Sequence, residues 1–464
     1  MPSTTPVPVR DAGAPFEKAP QYAAGVLARR VVERRAFEAV VWGMPAVNFD
    51  RMFQAMARET KGGWNQIVYW SGLPDWKNQT LTPNPDSIYF MPFFSLKDGP
   101  VVIEIPPADG GTIVGTIMDS WQCALEDVGP AGADKGEGAR YLILPPGHSG
   151  KTPGGCVALQ SDTVRGFALL RSILKTGSAG DITAAIAYGK RIGCYPVAQG
   201  PKTAFVDAIE VVFDATIPYD TLFFESLNRF VQAEPWLARD KAMIDTLRSI
   251  GISRGGKFDP DPEARGILDN AAQEARAWLD MKYESLFGQR FHPSARWTLP
   301  ASRDLLTGLQ TFFADPESYP LDDRGVTYSM AFFSPKHSST GSFYLMTIRD
   351  KAGDAFDGGS TYRLKVPANP PVSLYWSATA YDRDTHALIR NQPHASRAST
   401  TPGLQTNANG SVDIWFGPKP PAGKETNWVP TDADGKFEVL FRFYGPQKAL
   451  FNQSWVLPDV EKIG

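Results

Sequence analysis

The sequence predicts a mainly β protein of two antiparallel β-sandwiches, the second jelly-roll-like, joined by a helical insertion. Three observations carry the prediction. Short apolar runs of about five to nine residues, punctuated by Pro and Gly, fill the region after Trp64 and resume after Val326. Between them, helical periodicity returns in segments that open with Asp where an N-cap is wanted. Finally, no Gly-rich dinucleotide loop follows a strand, and the strand runs are too closely spaced for a βαβ fold.

Taken in order, residues 1–20 are rich in Pro, Ala and Thr and read as a flexible arm. Tyr22 to Val41 has helical spacing that Gly43 and Pro45 should end, and a second helix is expected over Asn48 to Arg58. Strands follow at Gln66–Trp70, Ser87–Phe94, Pro100–Ile105, Gly111–Met118, Arg140–Leu144, Cys156–Leu159 and Gly166–Leu174, which places a first sandwich within residues 21–200. Helices are expected at Asp181–Arg191, Asp220–Gln232, Asp240–Ile250 and Asp261–Leu286, with a helical connector over 201–325. A second sandwich over 326–464 takes strands at Tyr328–Phe333, Ser342–Ile348, Thr361–Val366, Val372–Tyr381, Val412–Phe416 and Phe437–Tyr444. Its tight turns include Asn409-Gly410 and Asp434-Gly435.

A chain of 464 residues, 42% hydrophobic and 21% charged, has ample core for two domains. Lys plus Arg, 47, nearly balances Asp plus Glu, 50, so no global field favours a polyanion and nucleic acid is not an expected partner. No run approaches the length of apolar chain needed to span a membrane. The N-terminus lacks the apolar centre of a secretory leader, so a cytoplasmic location is expected as written, a periplasmic one if a leader has been removed. Cys123, Cys156 and Cys194 form no CxxC pair and read as reduced structural thiols. With 12 Trp, 15 Tyr and 27 Phe, the aromatic content suggests an apolar pocket for a small-molecule ligand; homo-oligomerisation is left open.

Several motifs resolve to plain readings. Gly147-His148-Ser149-Gly150-Lys151-Thr152 ends like a phosphate loop, but the required upstream Gly is Pro146 and Pro153 follows, so it is a surface turn. Asp382, Asp384 and His386 would share a face if their segment stayed extended and could then converge on a cation; a solvated hairpin is the plainer reading, and no metal or other cofactor is expected. Asp432-Ala433-Asp434-Gly435 starts like a calcium loop but has Phe443 at the twelfth position, so it too is a turn. No GxSxG elbow appears.

Two points concentrate chemistry in the first half. Asn84-Pro85-Asp86-Ser87-Ile88-Tyr89 puts an amide, a carboxylate and a phenol in a turn leading into an apolar strand, and Asp119-Ser120-Trp121 puts a carboxylate and an indole after the apolar run Ile113 to Met118. In the second half, Trp376, Tyr381, Asn427 and Trp428 would make an aromatic cleft if they meet, with Arg442 nearby.

These segments carry a family resemblance. Asn84 to Tyr89, Gly99 to Val102 with Glu104-Ile105-Pro106, Asp119-Ser120-Trp121 and Tyr141-Leu142-Ile143 resemble the bacterial family called domain of unknown function 1254. Phe356-Asp357-Gly358 with Tyr362, Trp376-Ser377, Tyr381-Asp382, Asn409-Gly410-Ser411, Asn427-Trp428, and Arg442 with Tyr444 resemble its tandem partner, domain of unknown function 1214. Together they cover about Trp42 to Asp459. The resemblance implies two sandwiches with a helical insert, the second similar in shape to those of certain glycan amidases, and it implies no settled chemistry. Pro85 stands where that family commonly has Ala, and its members are often exported.

The expected function is an enzyme acting on a small organic or glycosidic substrate in an aromatic-lined pocket, by acid/base hydrolysis or elimination. Asp86 and Asp119 would transfer protons and Tyr89 would donate a hydrogen bond; Asn84, Trp121, Trp376, Tyr381, Asn427, Trp428 and Arg442 would bind substrate. The alternative is a non-catalytic, envelope-associated protein that holds a glycan or lipid-like molecule.

Overall fold

Alternation along the strand Ile88–Ser95 sets the plan of the first domain. In the computed structural model, which describes residues 23–150, 153–331, 335–336 and 341–463, this strand is buried along all but its last residue. Ile88, Phe90 and Phe94 join one apolar core, and Tyr89, Met91 and Phe93 join another. The strand lies inside a six-stranded sheet ordered Ala204–Asp207, Gln66–Tyr69, Ile88–Ser95, Arg165–Ser172, Ile113–Asp119, Ala124–Val128. One face of that sheet packs on a four-stranded sheet ordered Gly193–Pro196, Val101–Ile105, Ala139–Leu144, Val157–Gln160, closing a sandwich around Ile103, Tyr141 and Ile143. Its other face carries Val68, Tyr89, Met118 and Leu169 and packs against helices.

The second sandwich pairs two four-stranded sheets, Ser342–Thr347, Phe437–Pro446, Val372–Asp382, Ser396–Ala398 and Trp428–Pro430, Val412–Gly417, Tyr362–Val366, Glu461–Lys462. Its core holds Trp376, Ala378 and Ala380 from one layer and Leu364, Ile414 and Phe416 from the other. Most neighbouring strands are antiparallel, with parallel exceptions at Gln66–Tyr69 beside Ala204–Asp207, Ala139–Leu144 beside Val157–Gln160, Val412–Gly417 beside Trp428–Pro430, and the short pair Asn78–Gln79 beside Phe213–Asp214. The fold is therefore mainly β with a helical insertion. Among the described residues no helix is long and apolar enough to cross a membrane. Residues 1–20, expected as an arm, lie outside the described residues.

Two local expectations are corrected. Ala24–Thr60 is one helix and does not stop at Gly43 and Pro45. The glycine lets the helix Thr221–Ala233 pack closely, since a Cβ at position 43 would stand 2.9 Å from the tip of Leu227; the Pro45 carbonyl accepts from Gln122 Nε2 at 2.9 Å. Burial of Trp42, Met44, Val47 and Phe49 on both sides of the proline outweighs its missing backbone bond. The segment beginning at Tyr328 was expected as a strand, but Leu321–Met330 is a helix, with Asp322 and Asp323 in its first turn. Asn48 Nδ2 donates to the carbonyls of Tyr328 at 2.7 Å and Ala331 at 3.0 Å, satisfying its last turn. Residues 332–333 of the expected strand lie outside the described residues.

Candidate functional site

The helical face of the first six-stranded sheet and one face of the second domain's Ser342–Thr347 sheet enclose a cavity of about 130 Å³. Each wall follows from the two-residue period of its strand. Leu169 and Arg171 lie on one side of Arg165–Ser172, Tyr344 and Met346 on one side of Ser342–Thr347, and Leu440 and Arg442 on one side of Phe437–Pro446. Leu81, Thr82, Leu299, Pro300 and Met330 complete an apolar surround. Gly115 also lines it, and only glycine fits there, because a Cβ would lie 1.9 Å from the Leu169 carbonyl oxygen.

The polar lining is cationic and phenolic. Arg442 donates to Thr379 Oγ1 at 3.0 Å, to the carbonyls of Thr82 at 2.9 Å and Pro83 at 3.2 Å, and to the Tyr381 hydroxyl, all neutral acceptors. The Arg171 guanidinium stands 5.3 Å from the Tyr89 ring, and among the described residues its buried Nε has no hydrogen-bond partner. Burial opposes both charges, whereas the phenol groups of Tyr89, Tyr344 and Tyr444 around both, and of Tyr381 beside Arg442, favour them; neither guanidinium makes a direct ion pair with a carboxylate among the described residues. Burial raises the Tyr344 phenol, yet Arg171 and Arg442 together outweigh it and hold Tyr344 below the usual phenol range. Ser342 Oγ donates to the same phenol oxygen at 3.0 Å.

Residues 64–196 match the family model described as protein of unknown function (DUF1254), and residues 341–448 match protein of unknown function (DUF1214). The chain is a DUF1254–DUF1214 tandem. The VPA0106 protein from Vibrio parahaemolyticus, known from a crystal structure, has a similar fold at 18% identity and a TM-score of 0.56, over 93% of this chain and 100% of that one. A crystal structure of an uncharacterized protein from Burkholderia cenocepacia aligns at 10% identity and a TM-score of 0.39, over 94% of this chain and 95% of its own. No curated protein matches the sequence.

In this tandem the cavity sits at the junction, with Arg171 and Tyr89 from the DUF1254 part and Tyr344 and Arg442 from the DUF1214 part. Of the residues singled out in the sequence, Tyr89 and Arg442 line it. Asn84 stands one layer behind: its backbone N–H donates to the Tyr89 hydroxyl at 2.7 Å, and its side-chain amide donates to the hydroxyls of Tyr444 at 2.7 Å and Tyr375 at 3.1 Å. That turn therefore pins the two parts together. Tyr381 is fully buried, its hydroxyl on the Pro83 carbonyl and on Arg442.

The two carboxylates are not brought together. Asp86 faces the second domain, with Ser396 Oγ at 2.8 and 2.9 Å from its oxygens; burial raises its carboxyl against that bond and against the charges of Arg442 and Arg397. Asp119 accepts the Cys123 amide at 2.8 Å beneath the helices, and burial pushes it up to about 6. Neither lines the junction cavity. Trp121 is also core, packed edge-on against Trp42 at 4.9 Å and Phe230 at 4.8 Å.

The expected aromatic cleft does not form. Trp376 faces the sandwich interior, stacked on Phe441 at 5.4 Å, whereas Tyr381 lies on the opposite face of the same strand. Asn427 is buried and bonds the backbone of Gln405 and Asp413, and Trp428 donates to the Gly417 carbonyl at 2.8 Å. Asp382 caps a turn by accepting the amides of Asp384 and Thr385, so it does not converge with Asp384 and His386 on a cation. Among the described residues, no group of three His, Cys, Asp or Glu could hold a metal.

Proposed function

We propose that the junction cavity binds a small organic anion with an apolar body and acts on it by proton transfer. The observation that carries this reading is a pair of buried guanidiniums, Arg171 and Arg442, that line one cavity and make no direct ion pair among the described residues, Arg171 with a buried Nε that has no hydrogen-bond partner among them. An arriving carboxylate or phosphate would supply the missing charge, and the Leu, Met and Pro lining suits a ring or branched chain. The cavity volume of about 130 Å³ is on the scale that holds one six-membered ring.

Tyr344 supplies the acid/base group. While the site is empty, two cations favour its phenolate. The two cations ease loss of the Tyr344 proton and a bound anion offsets them, so the same phenol can give up a proton and take one back from the bound molecule or from water beside it. Tyr89 is placed to donate a hydrogen bond to the developing charge.

Thermal unfolding with benzoate, phenyl phosphate and benzyl alcohol tests the reading. The two anions should raise the unfolding temperature, the neutral alcohol should not, and Arg171→Met should abolish the difference while retaining a wild-type circular dichroism spectrum. Equal stabilisation by the alcohol, or undiminished anion binding by Arg171→Met, would refute it. A stabilising anion recovered unaltered would favour the non-catalytic alternative, and its consumption the enzyme.

A further inference from the structure

A second pocket, of about 330 Å³, is walled by Tyr219, Gln273, Arg276, Tyr283, Arg383 and His386. The helix Leu321–Met330 lies between the two sites, with Ser329 on this pocket and Thr327 and Met330 on the junction cavity. In its wall, His386 Nδ1 is 2.8 Å from Glu438 Oε1. Glu438 is fully buried in its strand; its other oxygen accepts the Tyr283 hydroxyl at 2.8 Å, with Arg383 Nε at 3.9 Å. A carboxylate fixed in this way takes the imidazole N–H at Nδ1 and leaves Nε2 as the acceptor. Nε2 makes no hydrogen bond among the described residues, and His386 lines the pocket.

The backbone shows that this aim is imposed. His386 has φ 56, a left-handed conformation uncommon for a residue with a side chain, and it is held there by its amide on the Asp382 carbonyl at 2.8 Å and its carbonyl on the Thr82 amide at 2.6 Å. The charges around it are mostly answered within the protein. Arg383 pairs with Asp280 and Glu284, while Arg276 is held more loosely, by the Asp384 carbonyl at 3.0 Å and its carboxylate at 4.0 Å. The pocket therefore suits a neutral polar guest, with one guanidinium, Arg276, able to turn toward it.

We infer that this pocket is a hydrolytic site for a small neutral ester, with His386 as general base and Glu438 as the residue that positions it. Nε2 takes a proton from water, and the water oxygen forms a bond to the acyl carbon, whose carbonyl oxygen becomes an oxyanion beside Arg276. Collapse breaks the bond to the alcohol oxygen, which receives the proton back from Nε2; ester and water give acid and alcohol.

The full chain with p-nitrophenyl acetate is the test. His386→Ala should lose at least about tenfold of the protein-dependent rate while keeping a native circular dichroism spectrum, and added imidazole should restore part of it beyond the rate imidazole gives with the ester alone. Glu438→Gln should lower kcat with little change in KM. A wild-type rate in His386→Ala, or no rescue by imidazole in a variant with native circular dichroism, would overturn the assignment. Should the variants not fold, brief treatment of the wild-type protein with diethyl pyrocarbonate, read by peptide mass spectrometry, decides instead: acylation of His386 supports an open Nε2, and an unmodified His386 in the native protein overturns it.

Discussion

Replacing Asp119 by Asn should stabilise the protein above pH 6 and do little at pH 4. The carboxylate is 4% exposed, and burial drives its pKa up to about 6 from the ordinary 3.8, against the Cys123 amide bond and the attraction of Arg239 and Arg324. At 1.36 kcal/mol per pH unit, that gap corresponds to about 3 kcal/mol lost on ionisation in the folded state. The sign follows from the raised value: the favourable, protonated state is fully present below pH 3.8 and is lost as pH rises through about 6. Asparagine stays neutral throughout and its Oδ1 can keep the Cys123 amide, so the variant should lack that decline. The figure is an upper bound, because the new Nδ2 needs an acceptor in a dry site. Urea unfolding midpoints at half-unit steps from pH 4 to 8 provide the assay. The difference between variant and wild type should grow between pH 4 and about 6 and then level off. A difference that stays constant over that interval, or is largest in acid, would refute the reasoning.

Other expectations concern packing, thiols and the junction. Gly115→Ala should cost more than about 3 kcal/mol, since φ is +154 and the new Cβ would lie 1.9 Å from the Leu169 oxygen; circular dichroism melts would show it. Arg442→Met should leave the Thr82 carbonyl without this donor, at about 1–3 kcal/mol, while the Pro83 carbonyl keeps the Tyr381 hydroxyl, and should lower the urea midpoint accordingly. Native protein treated with a thiol reagent at pH 8 should label Cys156 first. Cys123 and Cys194 are buried, and burial pushes their thiols up to about 11 and about 12; all three should label in urea.

Architecture was largely legible because each sandwich strand announces itself by apolar residues at the two-residue period between turn formers. The misreadings came where distant parts of the chain decide. Gly43 and Pro45 signal a helix end only to a reader who cannot know that Leu227 occupies the space beside the glycine. One correction was available from arithmetic alone: Trp376 and Tyr381 are an odd number of positions apart on one strand, so they cannot share a face. Arg171 also left a signal, a charge that follows the apolar run Phe167–Leu170 on the same face as Leu169, where a buried cation without a direct ion-pair partner is costly without a purpose. By contrast, nothing local tells that the Asn84 turn meets Tyr375 and Tyr444, or that Asp86 and Asp119 part company, since those placements are set by how the sheets stack.

The Asn84 turn, clasped by two tyrosines from the other half, makes guest occupancy and the docking of the halves mutually reinforcing. Cutting the backbone at the exposed loop around Gly255 would leave both fragments with an incomplete cradle, Arg171 on one and Arg442 on the other. Any molecule bridging those cations would then act as a tether, lowering the concentration at which the fragments reassociate by the same factor with which it prefers the assembled form.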